Sequence, residues 1–147
     1  MKRKTFEDCR RGKWILETKK NRKLASELIG LAKHKESFWQ EIDMEEKYPS
    51  LYIEGYYEII KELCTAILAL EGWMAVNHEC LFICLDEKRQ DLELDFNYLL
   101  ELKDTRNAID YKGMKISFET WKQNKLKILI IIKTLKEEVS NRIKFHS

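Results

Sequence analysis

Residues 50–72, SLYIEGYYEIIKELCTAILALEG, are the stretch that decides the fold. Tyr52, Tyr56, Ile59, Ile60, Leu63, Ile67 and Leu70 recur at helical spacing, so they line one face of a helix. Gly72 is suited to end that helix, because glycine readily takes the left-handed conformation at a helix terminus. Tyr48-Pro49-Ser50 marks a break before it, since the residue preceding proline avoids helical geometry. The spacing predicts a helix over about 50–71.

Working outward, Leu24, Leu28, Leu31, Phe38 and Ile42 predict a helix over about 13–46, with Gly30 interrupting the pattern without breaking it. Downstream, Trp73 to Val76 reads as a short connection. Asn77 is a good N-cap, Glu79 suits a first helical turn, and a short helix then carries Cys80, Leu81, Cys84 and Leu85. The charged run Asp86 to Asp91 is a joint into the next helix, which Gly113 ends. Its stripe is Leu92, Phe96, Leu99 and Leu102, and Arg106 and Ile109 occupy the next positions on that face. Ser117 can cap a last helix lined by Trp121, Ile128, Ile132, Leu135, Val139 and Ile143. Amphipathic helices with short links predict an all-α, up-and-down bundle of four main helices plus one short one, as a single domain over 1–147.

Composition agrees. The 147 residues are 44% hydrophobic and 35% charged, with five glycines and one proline, too few turn-formers for a sandwich or barrel. The longest aliphatic run, Ile128 to Ile132, is far short of the ~20 residues that span a bilayer. No apolar segment follows the basic N-terminus, so no signal peptide is read; a cytoplasmic protein with no membrane partner is expected. Residues 1–23 hold ten of the 27 Lys and Arg and only three of the 25 Asp and Glu. Residues 1–15 are thus expected to form a basic, partly ordered arm that touches nucleic acid or an acidic partner, or to be a solvated helix start. Cys9, Cys64, Cys80 and Cys84 have neither zinc-site spacing nor the density of a secreted disulfide scaffold. His78, Cys80 and Cys84 are soft ligands close in sequence, but no fourth ligand is evident, and small core residues beside a helix start are the preferred reading. No metal and no cofactor are expected.

The chain has no glycine-rich phosphate loop, no HExxH and no nucleophile elbow. The tryptophans at 14, 39, 73 and 121 are too scattered to form a stacking platform on sequence alone. What remains is Arg106-Asn107-Ala108-Ile109-Asp110-Tyr111. Arg106 and Asp110 lie one turn apart on one helix face, as do Asn107 and Tyr111. One reading is an Arg–Asp pair worth ~0.2–0.5 kcal/mol, with Asn107 hydrogen-bonding a neighbouring helix. The other follows from Arg106 standing on the apolar stripe: an inward guanidinium must be paired, or must line a cleft that an anion can reach.

The stretch Leu102 to Gly113 resembles the signature helix of the HEPN superfamily of small helical domains. Tyr56 to Leu63, Ala66-Ile67-Leu68, Gly72 and His78 resemble the family's second helix and the start of its next one, so the likeness spans roughly 20–140. The resemblance implies a helical bundle, commonly a homodimer, in which the Arg helices of two subunits form a shared cleft. It also implies either a metal-independent endoribonuclease of toxin–antitoxin or defence systems in prokaryotes, or a nucleotide-binding or non-catalytic partner of a nucleotidyltransferase. The family's catalytic signature is Arg, then a polar residue, then His about a turn later. Arg106 and Asn107 match it, whereas Tyr111, Lys112 and Gly113 stand where the His would fall. Tyrosine, with a reference pKa of ~10, and aspartate, at ~3.9, are not poised at neutral pH as imidazole is. The expectation is a module that binds RNA or nucleotide through Arg106 and Asn107, with Asp110 and Tyr111 beside them, partnered by an antitoxin or a nucleotidyltransferase. The nearest histidines in sequence, His78 and His146, are on other elements. The alternatives are an endoribonuclease using Tyr111, Asp110 or a His from elsewhere, and a structural dimer subunit.

Overall fold

The computed structural model describes residues 3–42 and 48–145, so His146 and the 43–46 end of the first predicted helix lie outside the described residues. In chain order the elements are α1 (Phe6–Arg11), β1 (Ile15–Glu17), α2 (Arg22–Glu41), α3 (Pro49–Glu71), β2 (Trp73–Ala75), α4 (His78–Lys88), a 3₁₀ turn (Gln90–Leu92), α5 (Phe96–Lys112) and α6 (Phe118–Phe145). The protein is an all-α helical bundle with one minor two-stranded ladder. No helix among the described residues is long and apolar enough to cross a membrane.

Helix α3 is the axis of the bundle. Fifteen of its 23 residues are buried, so it is enclosed nearly all round rather than along one stripe. Pro49 opens it, where a missing N–H costs no hydrogen bond, and Gly72 closes it at φ 83°. Tyr56 stacks on Trp121 of α6 with ring centroids 5.6 Å apart. On the other side α2 presents Ala25, Ile29 and Ala32 to the core, while Leu24, Leu31 and Phe38 are exposed. Of the predicted stripe only Leu28 and Ile42 pack, partly buried, against the core, and the fully buried face is the adjoining one. Small alanines let the two helices approach closely, and the adjoining leucines are left at the edges. Trp39 reaches across to α3, where Gly55 has no side chain; a Cβ there would lie 2.2 Å from the indole.

The predicted helix over 13–46 also divides. Lys13 takes a left-handed conformation at φ 60°, and Ile15–Glu17 pairs antiparallel with Trp73–Ala75, Ile15 opposite Ala75 and Glu17 opposite Trp73. The segment read as a connection is thus a strand, and α2 begins afresh at Asn21, whose side chain accepts from the Leu24 N–H at 2.9 Å. The predicted helix beyond the joint likewise starts at Phe96, capped by Asp95, with Leu92 in the preceding turn. Asn77 caps α4, Gly113 ends α5, and Ser117 accepts from the Thr120 N–H at 3.0 Å, as their residue types predict.

The N-terminal residues that are described do not form a loose arm. Thr5 and Asp8 close a capping box on α1, and Cys9 is joined to Cys80 by a disulfide, with Cα atoms 5.8 Å apart. Cys80 is therefore not a core thiol, and the cysteines lend no support to a cytoplasmic location, because disulfides are rare there. Cys64 and Cys84 are buried thiols, and burial pushes the Cys84 pKa up to about 12. At its far end α4 is tied down by Arg89, which bonds Glu71 at 3.1 Å, Asp91 at 2.8 Å and Glu138 at 2.7 Å.

Candidate functional site

The two ends of α4 are thus fixed, one by the disulfide and the Asn77 cap, the other by Arg89. That fixes where its first residue, His78, stands. The backbone approaching it is held too: the Val76 N–H donates to the Trp14 carbonyl at 2.8 Å, extending the β1–β2 pairing. Beneath His78 lies Tyr57 of α3, fully buried, with its hydroxyl 2.8 Å from His78 Nδ1.

Helix α5 supplies the facing wall. Lys103, Arg106, Asn107 and Tyr111 fall at helical spacing and line, with Lys4, Asn77, His78 and Glu79, a cleft of about 430 Å³. The charged side chains lining it are three cations, Lys4, Lys103 and Arg106, and one carboxylate, Glu79. Both lysines lie 3.6 Å from Glu79. Arg106 is half-buried. Its guanidinium contacts Asp110 at 3.1 Å and Glu58 of α3 at 3.4 Å, and lies over the Tyr57 ring, 6.0 Å from its centroid.

Arg106 is therefore ion-paired and also lines the cleft. The pairing does not close off the group, because a guanidinium carries five donors in a fixed fork and two carboxylates orient it without exhausting them. Asn107 and Tyr111 reach the cleft with Arg106, Tyr111 as a largely exposed rim. Asp110 does not line it; it serves the cleft indirectly by holding Arg106.

Burial, with neighbouring charge, sets the protonation states. Burial, then the cations Lys61 and Arg106, hold the His78 imidazole below its ordinary 6.5, so the ring is neutral at pH 7. Burial raises the Tyr57 phenol far above its usual range, so it stays a hydroxyl. Burial alone would raise Glu58, but Lys61, Arg106 and Lys35 outweigh it and its pKa is lowered. Glu54, one turn earlier on α3, is raised by burial and by its hydrogen bond to Asp110.

The neutral imidazole has two tautomers. If Tyr57 donates to Nδ1, Nε2 carries the proton and can donate to an anion. If Nδ1–H donates to the Tyr57 oxygen, Nε2 keeps a lone pair and can take a proton.

Sequence reasoning singled out Arg106, Asn107, Asp110 and Tyr111 but not Tyr57, Lys4 or Lys103, and it left His78 on a separate element. The Asn77–His78 helix start was the available signal; what it packs against was not visible. His78, Cys80 and Cys84 do not converge, since Cys80 is bonded to Cys9, and no group of three potential metal ligands exists among the described residues.

Fold and site define a class: an all-α bundle with a polar cleft, lined by three ion-paired cations, where α4 meets α5. Comparison with family models, with curated proteins and with solved structures gives no match to this chain.

Proposed function

We propose that this chain binds a phosphate-bearing ligand, RNA or nucleotide, in the α4–α5 cleft. The observation carrying the proposal is the convergence of Lys4, Lys103 and Arg106 from two distant parts of the chain on one cleft of about 430 Å³. That volume falls within the ~300–1,000 Å³ usual for ligand sites. Asn107 adds an amide that can donate and accept, and Tyr111 an exposed ring suited to stacking on a base. A HEPN-like module paired with an antitoxin or a nucleotidyltransferase, and functioning as a homodimer, belongs to the same reading; the resemblance of Leu102 to Gly113 supports it.

A second reading, RNA cleavage, is favoured by His78. His78 of α4 lines the same cleft as Arg106, whose own helix carries no His. In the Nε2 lone-pair tautomer His78 accepts the proton of a ribose 2′-hydroxyl as that oxygen bonds to phosphorus. The phosphorus–O5′ bond breaks, and the departing oxygen takes a proton from water or the Lys103 ammonium. Arg106 stabilises the charge gathered on the phosphate oxygens.

One assay separates the readings: a fluorescent single-stranded RNA, followed by anisotropy for binding and by gel for cleavage, with EDTA present. The binding reading expects saturable, salt-sensitive binding that Arg106→Ala weakens about tenfold. It fails if no RNA or nucleotide binds at about 50 mM salt. The cleavage reading further expects strand scission lost in His78→Ala with binding retained, and it fails if bound RNA stays intact between about pH 5 and 9.

A further inference from the structure

A second, smaller depression of about 210 Å³ adjoins the cleft, and the two share Val76, Asn77 and His78 as a common wall. The smaller one adds Lys61 and Thr65 of α3, with Ala75 as an apolar side. Its volume is below the range of self-standing ligand sites, so it reads as an annex rather than as a separate pocket. It has a cation of its own. Lys61 lies 2.9 Å from Glu58, the carboxylate that also contacts Arg106, so one acid bridges the cations of the two lobes. Cations, each ion-paired, therefore line both lobes beside the shared wall, Lys103 and Arg106 in the larger and Lys61 in the smaller.

A mononucleotide carries its charge at one end and fills one lobe. A chain of nucleotides repeats phosphate and sugar, and can lay one phosphate against Lys103 and Arg106 and the next against Lys61. We infer that the ligand is a single strand of at least two nucleotides crossing the shared wall at His78, with Lys61 as the second phosphate contact. This rests on the phosphate-binding reading and narrows it from nucleotides in general to a strand.

Titration calorimetry on the full chain tests the inference, using adenosine monophosphate and a short 2′-O-methyl oligoadenylate that cannot be cleaved through its 2′ position. The oligonucleotide is expected to bind about tenfold more tightly than the monophosphate. Lys61→Gln is expected to abolish that advantage, to leave monophosphate affinity unchanged, and to reduce the slope of log affinity against log salt by about 0.7. Equal affinity for the two probes overturns the inference while leaving the phosphate-binding reading intact. So does an equal loss for both probes in Lys61→Gln, which would mean that Lys61 acts through Glu58 on Arg106. Binding of neither probe overturns the underlying reading as well. Ala75→Leu, which fills the smaller lobe, gives the same comparison if circular dichroism shows that Lys61→Gln fails to fold.

Discussion

Gly30 and Gly55 are both interior to long helices, yet replacing each by alanine should change stability in opposite directions. At Gly30, on the exposed side of α2, no atom lies within 4 Å of the position a Cβ would take. Gly30→Ala should therefore show only the helix-interior gain of about 0.5–1 kcal/mol. At Gly55 the same methyl would meet three indole atoms of Trp39 at 2.2, 2.3 and 2.4 Å. No small rotation clears three ring atoms together, and overpacking of this kind costs about 1–3 kcal/mol. The cost exceeds the propensity gain, so Gly55→Ala should be destabilised by about 1 kcal/mol. For a chain of this size that lowers the melting temperature by about 2–4 °C, while Gly30→Ala raises it by a similar or smaller amount. Thermal unfolding followed by circular dichroism measures both. A double-mutant cycle assigns the cause: in a Trp39→Ala background Gly55→Ala should turn stabilising, as at Gly30. If Gly55→Ala raises the melting temperature as Gly30→Ala does, or stays destabilising without Trp39, the packing argument is wrong.

Two further outcomes follow. Cys9 and Cys80 are 71 residues apart, and in the chain-entropy picture opening a loop of that length lowers stability by about 4 kcal/mol. Cys9→Ser/Cys80→Ser should show a large fall in the urea midpoint that reductant does not increase, and an unchanged midpoint would contradict the tie. His78, whose folded pKa is below its unfolded value, contributes stability that is complete above about pH 6.5 and is lost as pH falls through the folded pKa. The melting temperature should decline from about pH 7 to 5, and less so in His78→Asn; parallel curves would remove His78 as the cause.

Local chemistry made part of this architecture legible. Asn77, Gly72, Gly113 and Ser117 mark helix ends because each satisfies terminal backbone groups through its own side chain or its own conformational freedom. The division of residues 13–46 was not legible, because Ile15–Glu17 is a strand only by virtue of Trp73–Ala75, and three residues carry no periodicity. The buried face of α2 was misread for a related reason. Leucines at helical spacing mark a stripe, but Ala25 and Ala32 bring the backbones together, and close approach is a property of two helices rather than one. At the site, Arg106 on an inward position was readable from spacing within one helix. Glu58 and Tyr57, which meet it from α3, and His78, which stands across the cleft, are joined to it only by the fold.

Helix α5 is rooted unevenly. Its buried residues, Leu99, Leu100 and Leu102, all fall in its first half, and beyond them Ile109 is the apolar side chain packed on the core. The half that carries the cleft is held chiefly by the ion pairs of Arg106 and Lys103, with Gly113 closing the end. Mechanically this is a cantilever: stiff where hydrocarbon grips it, and at its working end restrained by charge. Hydrocarbon contacts are not screened by salt, whereas partly exposed ion pairs weaken as the Debye length shortens. A bound polyanion would add its phosphates to the donors that those internal partners leave open. The tip of α5 would then settle against whatever occupies the cleft, and the bundle behind it would not need to move.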